Sequence, residues 1–350
     1  LMAGISLAVA AIPEGLPAIV TVVLALGVQK MARRNAIIRK LPAVETLGCT
    51  TVICSDKTGT LTQNQMTVGR LATIDKTMEI TGNGYEPRGS FQEEGKEINP
   101  LYDINTRLIM EVALNCNNAT LEKHKGSYQI QGDPTEASLL VMAQKASMTR
   151  LYKRQREIPF DSTRKKMSIV VEAEGKYFVF CKGALEVLIP FCNQLIKKGQ
   201  TQPLREEHKK YFYFLQEQWA GEALRILGFA AKEIKPADIN MPENALESGF
   251  TLLGICGMSD SPRSGVEKSV AACLNAGITP IMITGDHPVT ALAIAKKIGI
   301  SEGNEALAGS DLEQLTDQDL YRKSLTTRVF ARVAPEHKNR IVEVLKKNKE

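Results

Sequence analysis

The stretch TTVICSDKTGTLTQNQMTV, residues 50–68, decides the fold expected for this chain. Residues 50–54 are rich in β-branched side chains and predict a short strand that ends on Ser55 and Asp56. Gly59 then permits a tight turn. An acidic residue at the carboxyl end of a strand, followed by a glycine-containing loop, is where open α/β sheets place their chemistry. The stretch therefore predicts an α/β domain with Asp56 at the active edge of its sheet.

The carboxylate of Asp56 is a suitable nucleophile for a phosphoryl group, and the product of that attack is an aspartyl-phosphate. Lys57 and the backbone amides of the loop are suited to balance the charge of a phosphate. Thr58 lies two places after Asp56, and a hydroxyl is a poor general base at neutral pH. We therefore expect an aspartyl-phosphate that is hydrolysed slowly. An ordinary turn aspartate is the alternative, and the seven-residue run DKTGTLT argues against it.

The stretch GITPIMITGDHPVTALAIAKKIGI, residues 277–300, repeats the order strand, loop, helix. Its strand is expected over residues 278–283, and Pro288 suits the first turn of the helix. The apolar face of that helix is formed by Ala291, Ile294, Ala295 and Ile298. Between strand and helix lies the loop Thr284-Gly285-Asp286, whose threonine is placed to hydrogen-bond a phosphate oxygen.

Two further stretches show the same organisation. RVFARVAPEHKNRIVEVLKK, residues 328–347, reads as strand then helix, with Lys338 in the first helical turn. By pattern alone Lys338 is a solvated helix lysine, and its ARVAPEHK context is what makes it a candidate. TLLGICGMSDSPRSGVEKSV, residues 251–270, predicts one more strand, followed by Asp260 and Arg263.

The stretch IPEGLP, residues 12–17, interrupts an apolar run of membrane length over residues 1–29, in which Glu14 is the one ionisable residue. Pro13 lacks an N–H group and crowds the carbonyl of Val9, so that backbone oxygens become available there. Free carbonyls and an intramembrane carboxylate are hard ligands for a cation. The alternative is a kinked core helix. We predict part of a cation site whose ligands are Val9, Ala10, Ile12 and Glu14.

Composition narrows the classes of protein. The net charge of +5 is mild and the Lys and Arg residues are scattered, which argues against a nucleic-acid partner. The seven cysteines are odd in number and include no CxxC pair, so we expect reduced thiols without a disulfide framework or a cysteine-based zinc site. Basic residues over 30–40 follow the apolar run and predict a cytoplasmic side for what comes next.

Residues 70–250 are too many for a loop and predict an inserted domain. GDPTEASL, residues 132–139, suits the start of a helix at Asp133 and Thr135. IPFDSTRKKMS, residues 158–168, offers an aromatic ring to stack on a base and cations to meet phosphates, namely Phe160, Arg164, Lys165 and Lys166. Neither a GxxxxGK[ST] phosphate loop nor a dinucleotide GxGxxG unit occurs. A nucleotide bound by this insert would therefore be held without a phosphate loop.

DKTGTLT resembles the phosphorylation signature of the P-type ATPases, and IPEGLP is similar to the fourth transmembrane helix of their calcium-pumping branch. Residues 41–67 resemble the calcium pumps of the sarco/endoplasmic reticulum and secretory-pathway type, including bacterial relatives. The resemblance covers essentially the whole chain. It implies an α/β fold: a truncated, haloacid dehalogenase-like Rossmannoid phosphorylation domain with an inserted α+β nucleotide-binding domain, preceded by one broken transmembrane helix.

The implied domains are a transmembrane helix over 1–29, a stalk over 30–45, the phosphorylation domain over 46–69 and 251–350, and the nucleotide-binding domain over 70–250. By resemblance, Lys338 holds the nucleophile and the phosphate together, MITGD is the second motif of the superfamily, and Asp56 with Thr58 binds Mg²⁺. The residues implied to contact ATP are Glu136, Phe160, Lys165, Lys182, Arg225, Asp260 and Arg332.

This sequence departs from the family at several positions. Phosphatases of the wider superfamily usually carry a second aspartate where Thr58 stands, which suits a pump better than a phosphatase. Ser162 stands where the animal reticulum pumps have an arginine, Leu185 where a proline often follows KGA, and Ser261 where DPPR is usual. We expect Ser162 to alter the contacts to the nucleotide, and Ser261 to make its loop less rigid.

The resemblance implies ATP-driven calcium transport through an aspartyl-phosphate, with ATP and Mg²⁺ as cofactors. The implied partners are membrane lipid, the other transmembrane helices and the actuator domain of the same protein, with no nucleic acid. The implied location is a membrane, expected to be a bacterial plasma membrane, with the catalytic domains in the cytoplasm. Both ends of the chain read as cut. Transport of manganese or sodium is an alternative, as is a segment that binds nucleotide without turnover.

Overall fold

The structure is a computed structural model that describes residues 15–124 and 126–348. Among those residues, none of the helices combines the length and the apolar character that crossing a membrane requires. The first described helix, Leu16–Ala32, covers the second half of the predicted transmembrane segment, and none of its residues is buried. The expected cation ligands Val9, Ala10, Ile12 and Glu14 lie outside the described residues.

The elements are numbered here in chain order. The strands are β1 Val52–Asp56, β2 Thr62–Ala72, β3 Thr77–Ile80, β4 Phe91–Glu93, β5 Lys96–Ile98, β6 Thr120–His124, β7 Ser127–Gln131, β8 Lys153–Asp161, β9 Lys166–Ala173, β10 Lys176–Gly183, β11 Cys192–Lys197, β12 Gln200–Pro203, β13 Arg225–Ile234, β14 Phe250–Pro262, β15 Thr279–Ile283, β16 Leu307–Ala308 and β17 Val329–Ala331.

The helices are α1 Leu16–Ala32, α2 Pro42–Gly48, α3 Ile104–Asn115, α4 Pro134–Lys145, α5 Leu185–Leu188, α6 Glu206–Gly221, α7 Glu243–Leu246, α8 Val266–Asn275, α9 Pro288–Lys297, α10 Gly309–Gln314, α11 Asp317–Ser324 and α12 Pro335–Lys347. Short 3₁₀ turns cover Pro100–Tyr102, Ile189–Phe191 and Pro236–Asn240.

A four-stranded parallel sheet in the order β1-β15-β17-β16 carries the predicted reactive aspartate. Asp56 pairs in register with Ile283, so β1 and β15 end at the same edge. Its first strand runs over Val52–Asp56, two residues later than the β-branched run predicts, because pairing with Thr279–Ile283 sets its ends. The helices that begin at Pro288 and Pro335 are as predicted, and the apolar face of α9 is buried.

A larger, mainly antiparallel sheet contains the predicted insert, in the order β5-β4-β3-β2-β14-β13-β10-β9-β8, with β11 and β12 attached at β14. Helices α3 and α4 cover one core, which includes Leu71, Ile109 and Phe229, and α6 covers another around Trp219. The described chain is therefore a mixed α/β structure. The expected domain boundaries stay predictions.

Two long antiparallel strands, β2 and β14, pair with each other within the larger sheet. They approach so closely that a Cβ atom on Gly254 would lie 2.2 Å from the carbonyl oxygen of Ala72. β14 continues to Pro262, so Asp260 lies within the strand. The sequence had placed it after the end of the strand. The ladder with β2 extends this strand through the polar SDSP run.

Candidate active site

The side chain of Asp56 lies at the end of β1 and is about half exposed, at 46%. Behind it the loop Lys57–Leu61 reverses the chain through Gly59, whose φ of +74° is open to glycine without strain. Thr58 has an extended backbone and an exposed side chain. Burial raises the pKa of the Cys54 thiol to about 11, so this neighbour adds no charge at neutral pH.

Lys338 reaches Asp56 from the first turn of α12, and its Nζ lies 2.5 Å from Oδ2 of the carboxylate. These two residues are 282 positions apart in sequence. Parallel strands bring them together because their carboxyl ends share one edge of the sheet. We name this edge, formed by Asp56, Thr284 and Lys338, the Asp56 edge.

The loop after β15 is fixed by the loop after β17. Arg332 donates its backbone N–H to the carbonyl of Asp286 at 2.8 Å, and Val333 donates to that of Thr284 at 3.1 Å. The Thr284 side chain is buried, and its hydroxyl accepts from the Asp286 amide at 3.1 Å. Arg332 has a left-handed backbone, with φ of +48°, and its side chain is exposed.

Lys57 departs from the simplest expectation. Its side chain is buried and forms an ion pair with Asp286, the last residue of the Thr284-Gly285-Asp286 loop. The charge of Lys57 therefore neutralises this carboxylate and is not displayed to solvent beside Asp56. Because Lys57 lies in the loop after β1 and Asp286 in the loop after β15, this ion pair also holds the two loops together.

Asp260 is partly buried and both of its carboxylate oxygens accept hydrogen bonds from the protein, and its expected contact with the nucleotide stays a prediction. Its Oδ2 accepts from the Thr62 hydroxyl at 2.5 Å, and its Oδ1 accepts from the Gln65 amide at 3.1 Å. Arg263 donates to the carbonyls of Gly59 at 2.7 Å and Thr62 at 3.1 Å. The DSPR stretch thus supports the loop behind Asp56, and its contacts come from strand pairing that the motif does not reveal.

The larger sheet carries a second group of predicted residues, centred on Glu136. Asp133 caps α4 by accepting from the amides of Thr135 and Glu136, at 2.7 and 3.2 Å. This cap places the Glu136 carboxylate 2.7 Å from Nζ of Lys182 on β10. Arg225 donates to the Thr135 hydroxyl at 3.1 Å. We name Glu136, Lys182 and Arg225 the Glu136 cluster.

The hairpin of β8 and β9 presents the other two predicted residues, Phe160 near the end of β8 and Lys165 in the turn. Phe160 is 58% exposed, which is unusual for a phenylalanine and leaves its ring open to a ligand. Lys165 is exposed and has a left-handed backbone with φ of +50°. Its carbonyl accepts from the amide of Ala184 at 3.0 Å, which places this turn beside Lys182 and Gly183.

Arg164 and Lys166 do not meet the expectation that they display charge for phosphates. Nη1 of Arg164 lies 3.1 Å and Nζ of Lys166 lies 2.9 Å from the Glu247 carboxylate, and Lys166 and Glu247 are both buried. Of these three neighbouring cations, Lys165 is the exposed one. Sequence reasoning missed Glu247 because ALESGF matches no motif and reaches the turn only through tertiary packing.

Asn118 is a further residue that sequence reasoning missed. Its backbone N–H donates to the second oxygen of Glu136 at 2.9 Å, and its side chain bonds Arg154 and Glu157 at 2.6 and 2.7 Å. Both Glu136 oxygens are therefore held. The spacing CNNA gives no hint of this contact, because the partners lie on β8 and α4.

Comparison with known proteins bears on both sites. Residues 105–265 match the family model described as "P-type ATPase, cytoplasmic domain N". Over 99% of its length the chain is 42% identical to "Calcium-transporting ATPase" of Bacillus subtilis (strain 168), of which it covers 40%. It is 44% identical over 99% of its length to "Calcium-transporting ATPase 1" of Bacillus cereus, covering 37% of that protein. With "Calcium-transporting ATPase type 2C member 1" of Bos taurus the identity is 38%, over 98% of the chain and 35% of the relative.

The chain thus spans about two fifths of the length of these relatives. Their names confirm the resemblance to calcium-transporting ATPases, bacterial ones among them, that the motifs predict. The family match falls on the larger sheet and its helices.

Proposed function

We propose that the chain is a member of the P-type ATPase family, as its similarity to that family's domain N and to calcium-transporting ATPases supports. In this proposal it is the part of an ATP-driven cation pump that binds ATP and receives its γ-phosphoryl group on Asp56. The observation that carries this proposal is the contact of 2.5 Å between the half-exposed Asp56 carboxylate and Lys338, at the edge where Thr284 also lies. The four-stranded parallel sheet and its helices then correspond to a phosphorylation domain of haloacid dehalogenase type, and the larger sheet to the nucleotide-binding domain.

The transfer is a displacement at phosphorus. An oxygen of Asp56 forms a bond to the γ-phosphorus as the bond to the bridging oxygen breaks, and ADP leaves with that electron pair. Lys338 stabilises the negative charge on the oxygens of the transferring phosphoryl group. The Thr284 hydroxyl and the Gly285 amide donate hydrogen bonds to these oxygens. The pair of Lys57 and Asp286 holds the two loops at a fixed distance. Thr58 supplies no general base, so the aspartyl-phosphate persists.

Magnesium fits the oxygen atoms available at this edge. Asp56 presents a half-exposed carboxylate, and Thr58 lies next to it with an exposed side chain and an extended backbone. A carboxylate and a carbonyl oxygen are ligands that this ion accepts, with water and phosphate oxygens completing its shell. Bound there, Mg²⁺ neutralises charge on the transferred group.

The nucleotide is proposed to lie against the Glu136 cluster and the turn that carries Phe160. The Phe160 ring stacks on adenine, and Glu136 accepts a hydrogen bond from the adenine amine. Lys165, Lys182 and Arg225 provide positive charge for the phosphates. Arg332 supplies one more exposed cation near the Asp56 edge. ATP would have to compete for Lys182, which is already paired with Glu136.

Calcium is the proposed cargo, supported by the names of the relatives and by the IPEGLP motif, with Val9, Ala10, Ile12 and Glu14 as ligands. The protein is proposed to lie in a bacterial plasma membrane with these domains in the cytoplasm, and to work with further membrane helices and an actuator domain. Manganese or sodium is the alternative cargo. The isolated chain is proposed to bind ATP without multiple turnovers.

The test follows the phosphorylated intermediate in the protein that carries this segment. Labelled ATP and Mg²⁺ are supplied with calcium or with chelator, and acid-stable, hydroxylamine-labile phosphate is counted. We expect calcium-dependent label that is absent from Asp56→Asn and loses its calcium response in Glu14→Gln. Label that responds to manganese but not to calcium would change the proposed cargo, and absence of label from the unmodified protein would overturn the mechanism.

A further inference from the structure

A buried carboxylate lies behind the turn that carries Phe160 and Lys165, on an element that no motif marks. We propose that Glu247 is a positioning residue for ATP binding, which holds Arg164 and, through it, the Phe160 end of the hairpin of residues 158–168. This inference rests on the proposed binding of ATP to that hairpin.

The hairpin turn by itself is held by local hydrogen bonds. Oδ1 of Asp161 accepts from the amides of Thr163 and Arg164, both at 2.9 Å, and these bonds lower the pKa of Asp161. The Asp161 carbonyl accepts from the amide of Lys165 at 2.6 Å. These contacts set the shape of the turn. The ladder that pairs Lys166 with Gly183 places the inner strand β9 beside β10. The β8–β9 register shifts between Ile158 and Asp161, so the backbone around Phe160 is left to be held by other groups.

Arg164 links the two strands of the hairpin. Its Nη2 donates to the carbonyl of Pro159 and to that of Lys166, each at 3.2 Å. Pro159 directly precedes Phe160, so the guanidinium holds the backbone from which the exposed ring projects. A guanidinium can serve several acceptors at once because its donors form a rigid planar fork.

Glu247 holds this guanidinium from the opposite side. Its Oε2 lies 3.1 Å from Arg164 Nη1 and 2.9 Å from Lys166 Nζ, and its Oε1 accepts from the Ser168 hydroxyl at 2.8 Å. The Glu247 side chain is only 3% exposed. Three of its partners thus lie on the hairpin, whereas Glu247 itself comes from the chain between α7 and β14. A buried charge with several charged hydrogen bonds confines its partners to one arrangement.

The position of the Phe160 end matters because the hairpin lies directly beside β10 in the sheet, with Lys166 paired in register with Gly183. A Cβ atom on Gly183 would lie 2.7 Å from Lys166 Cβ and 2.8 Å from the carbonyl oxygen of Lys165. Lys182, the lysine of the Glu136 cluster, directly precedes this glycine. A shift of the turn and of the backbone at Phe160 therefore changes where Phe160 and Lys165 lie relative to Lys182, and with it the fit of a ligand that contacts all three.

The test measures the Kd for ATP by calorimetry on the full chain in detergent, and its unfolding by urea in parallel. We expect Glu247→Gln to raise the Kd about tenfold, the change that loss of one well-placed charged contact produces. The matched control is Glu243→Gln, whose carboxylate lies 3.6 Å from the same arginine but is 53% exposed. We expect this control to leave the Kd unchanged.

A second variant separates positioning from stability. In Lys166→Met with Glu247→Leu, apolar groups replace the buried pair, an exchange that commonly restores stability. We expect its urea midpoint to return towards the unmodified value while its Kd stays raised, because Arg164 is no longer held. A Kd that returns with the midpoint, or a folded Glu247→Gln protein with an unchanged Kd, would overturn the inference and leave the proposed function standing. An unmodified chain that fails to bind ATP would overturn both.

Discussion

The Asp56 edge and the Glu136 cluster obtain their charged side chains in different ways. At the Asp56 edge, parallel strands deliver loop residues from distant parts of the chain, and Asp56 and Lys338 stay 46% and 35% exposed. In the larger antiparallel sheet, Lys182 and Lys166 lie within strands and are 7% and 5% exposed, each paired with a carboxylate.

Under the proposed function, the difference separates groups that react from groups that shape a pocket. A nucleophile has to meet its substrate, so Asp56 lies at an exposed edge. Its partner Lys338 can exchange the contact with Asp56 for a contact with the phosphate. Cations within a sheet are desolvated and need carboxylates to hold them, because an unpaired buried charge is costly. Variants at the two places should therefore affect different steps.

The largest effect is expected from Lys338→Met. Loss of this cation removes charge stabilisation from the transferring phosphoryl group, so the rate of phosphorylation should fall by about 10²- to 10³-fold. The Kd for ATP should hardly change, because the contact of Lys338 is to Asp56. Rapid-quench phosphorylation at saturating ATP measures the rate. Lys346→Met, on an exposed position of the same helix, is the control and should behave as the unmodified protein.

Lys182→Met should show the opposite pattern. It should raise the Kd for ATP about tenfold, because a charged contact to the nucleotide is lost, while the rate at saturating ATP changes little. Lys176→Met on the same strand removes an exposed lysine paired with Glu233 and should leave the Kd unchanged. If Lys182→Met slowed transfer at saturating ATP as strongly as Lys338→Met, the division between the two sites would be wrong.

A smaller effect is expected from the helix caps. Asp133→Ala and Asp103→Ala each remove the acceptor at the start of a helix, α4 or α3, and should each lower the free energy of unfolding by about 1 kcal/mol. Urea unfolding measures this. Only Asp133→Ala should also weaken ATP binding, because that cap places Glu136. Equal ATP affinity in both variants would show that the cap does not position the cluster.

The smallest effect is expected from Lys145, which donates to the carbonyls of Thr81 and Gly82 at 2.8 and 2.7 Å. Burial lowers the pKa of Lys145 to about 8 in the folded chain, from 10.5 when unfolded. Between these two values the unfolded chain binds more protons, so the contribution of Lys145 to stability rises as the pH increases. Urea midpoints at pH 7.5 and 9.5 should show a rise that Lys145→Met lacks. An identical rise in both proteins would contradict this.

How much the sequence could predict differs between the two regions. The strand, loop and helix around Asp56, the loop at Thr284 and the helix of Lys338 follow from local patterns, since parallel strands share one active edge. The ends of β1 and the course of β14 past Asp260 did not follow, because strand pairing decides them. In the larger sheet, Phe160 and Lys182 stand in local motifs, whereas Glu247 and Asn118 act through contacts that only tertiary packing creates.

The separation of 282 residues between Asp56 and Lys338 also has a consequence for biosynthesis. At about 5–20 residues per second, a ribosome needs roughly 15 to 60 seconds to travel that distance. Among the described strands, β1 lies at the edge of its sheet and pairs only with β15, so its Val52 and Ile53 stay unpaired for most of that time. The intervening sheet is complete once β14 emerges. Among the described strands, the edge that carries Asp56 is therefore paired only after the larger sheet is complete, and until then β1 is an unpaired strand that a ribosome-bound chaperone would have reason to cover.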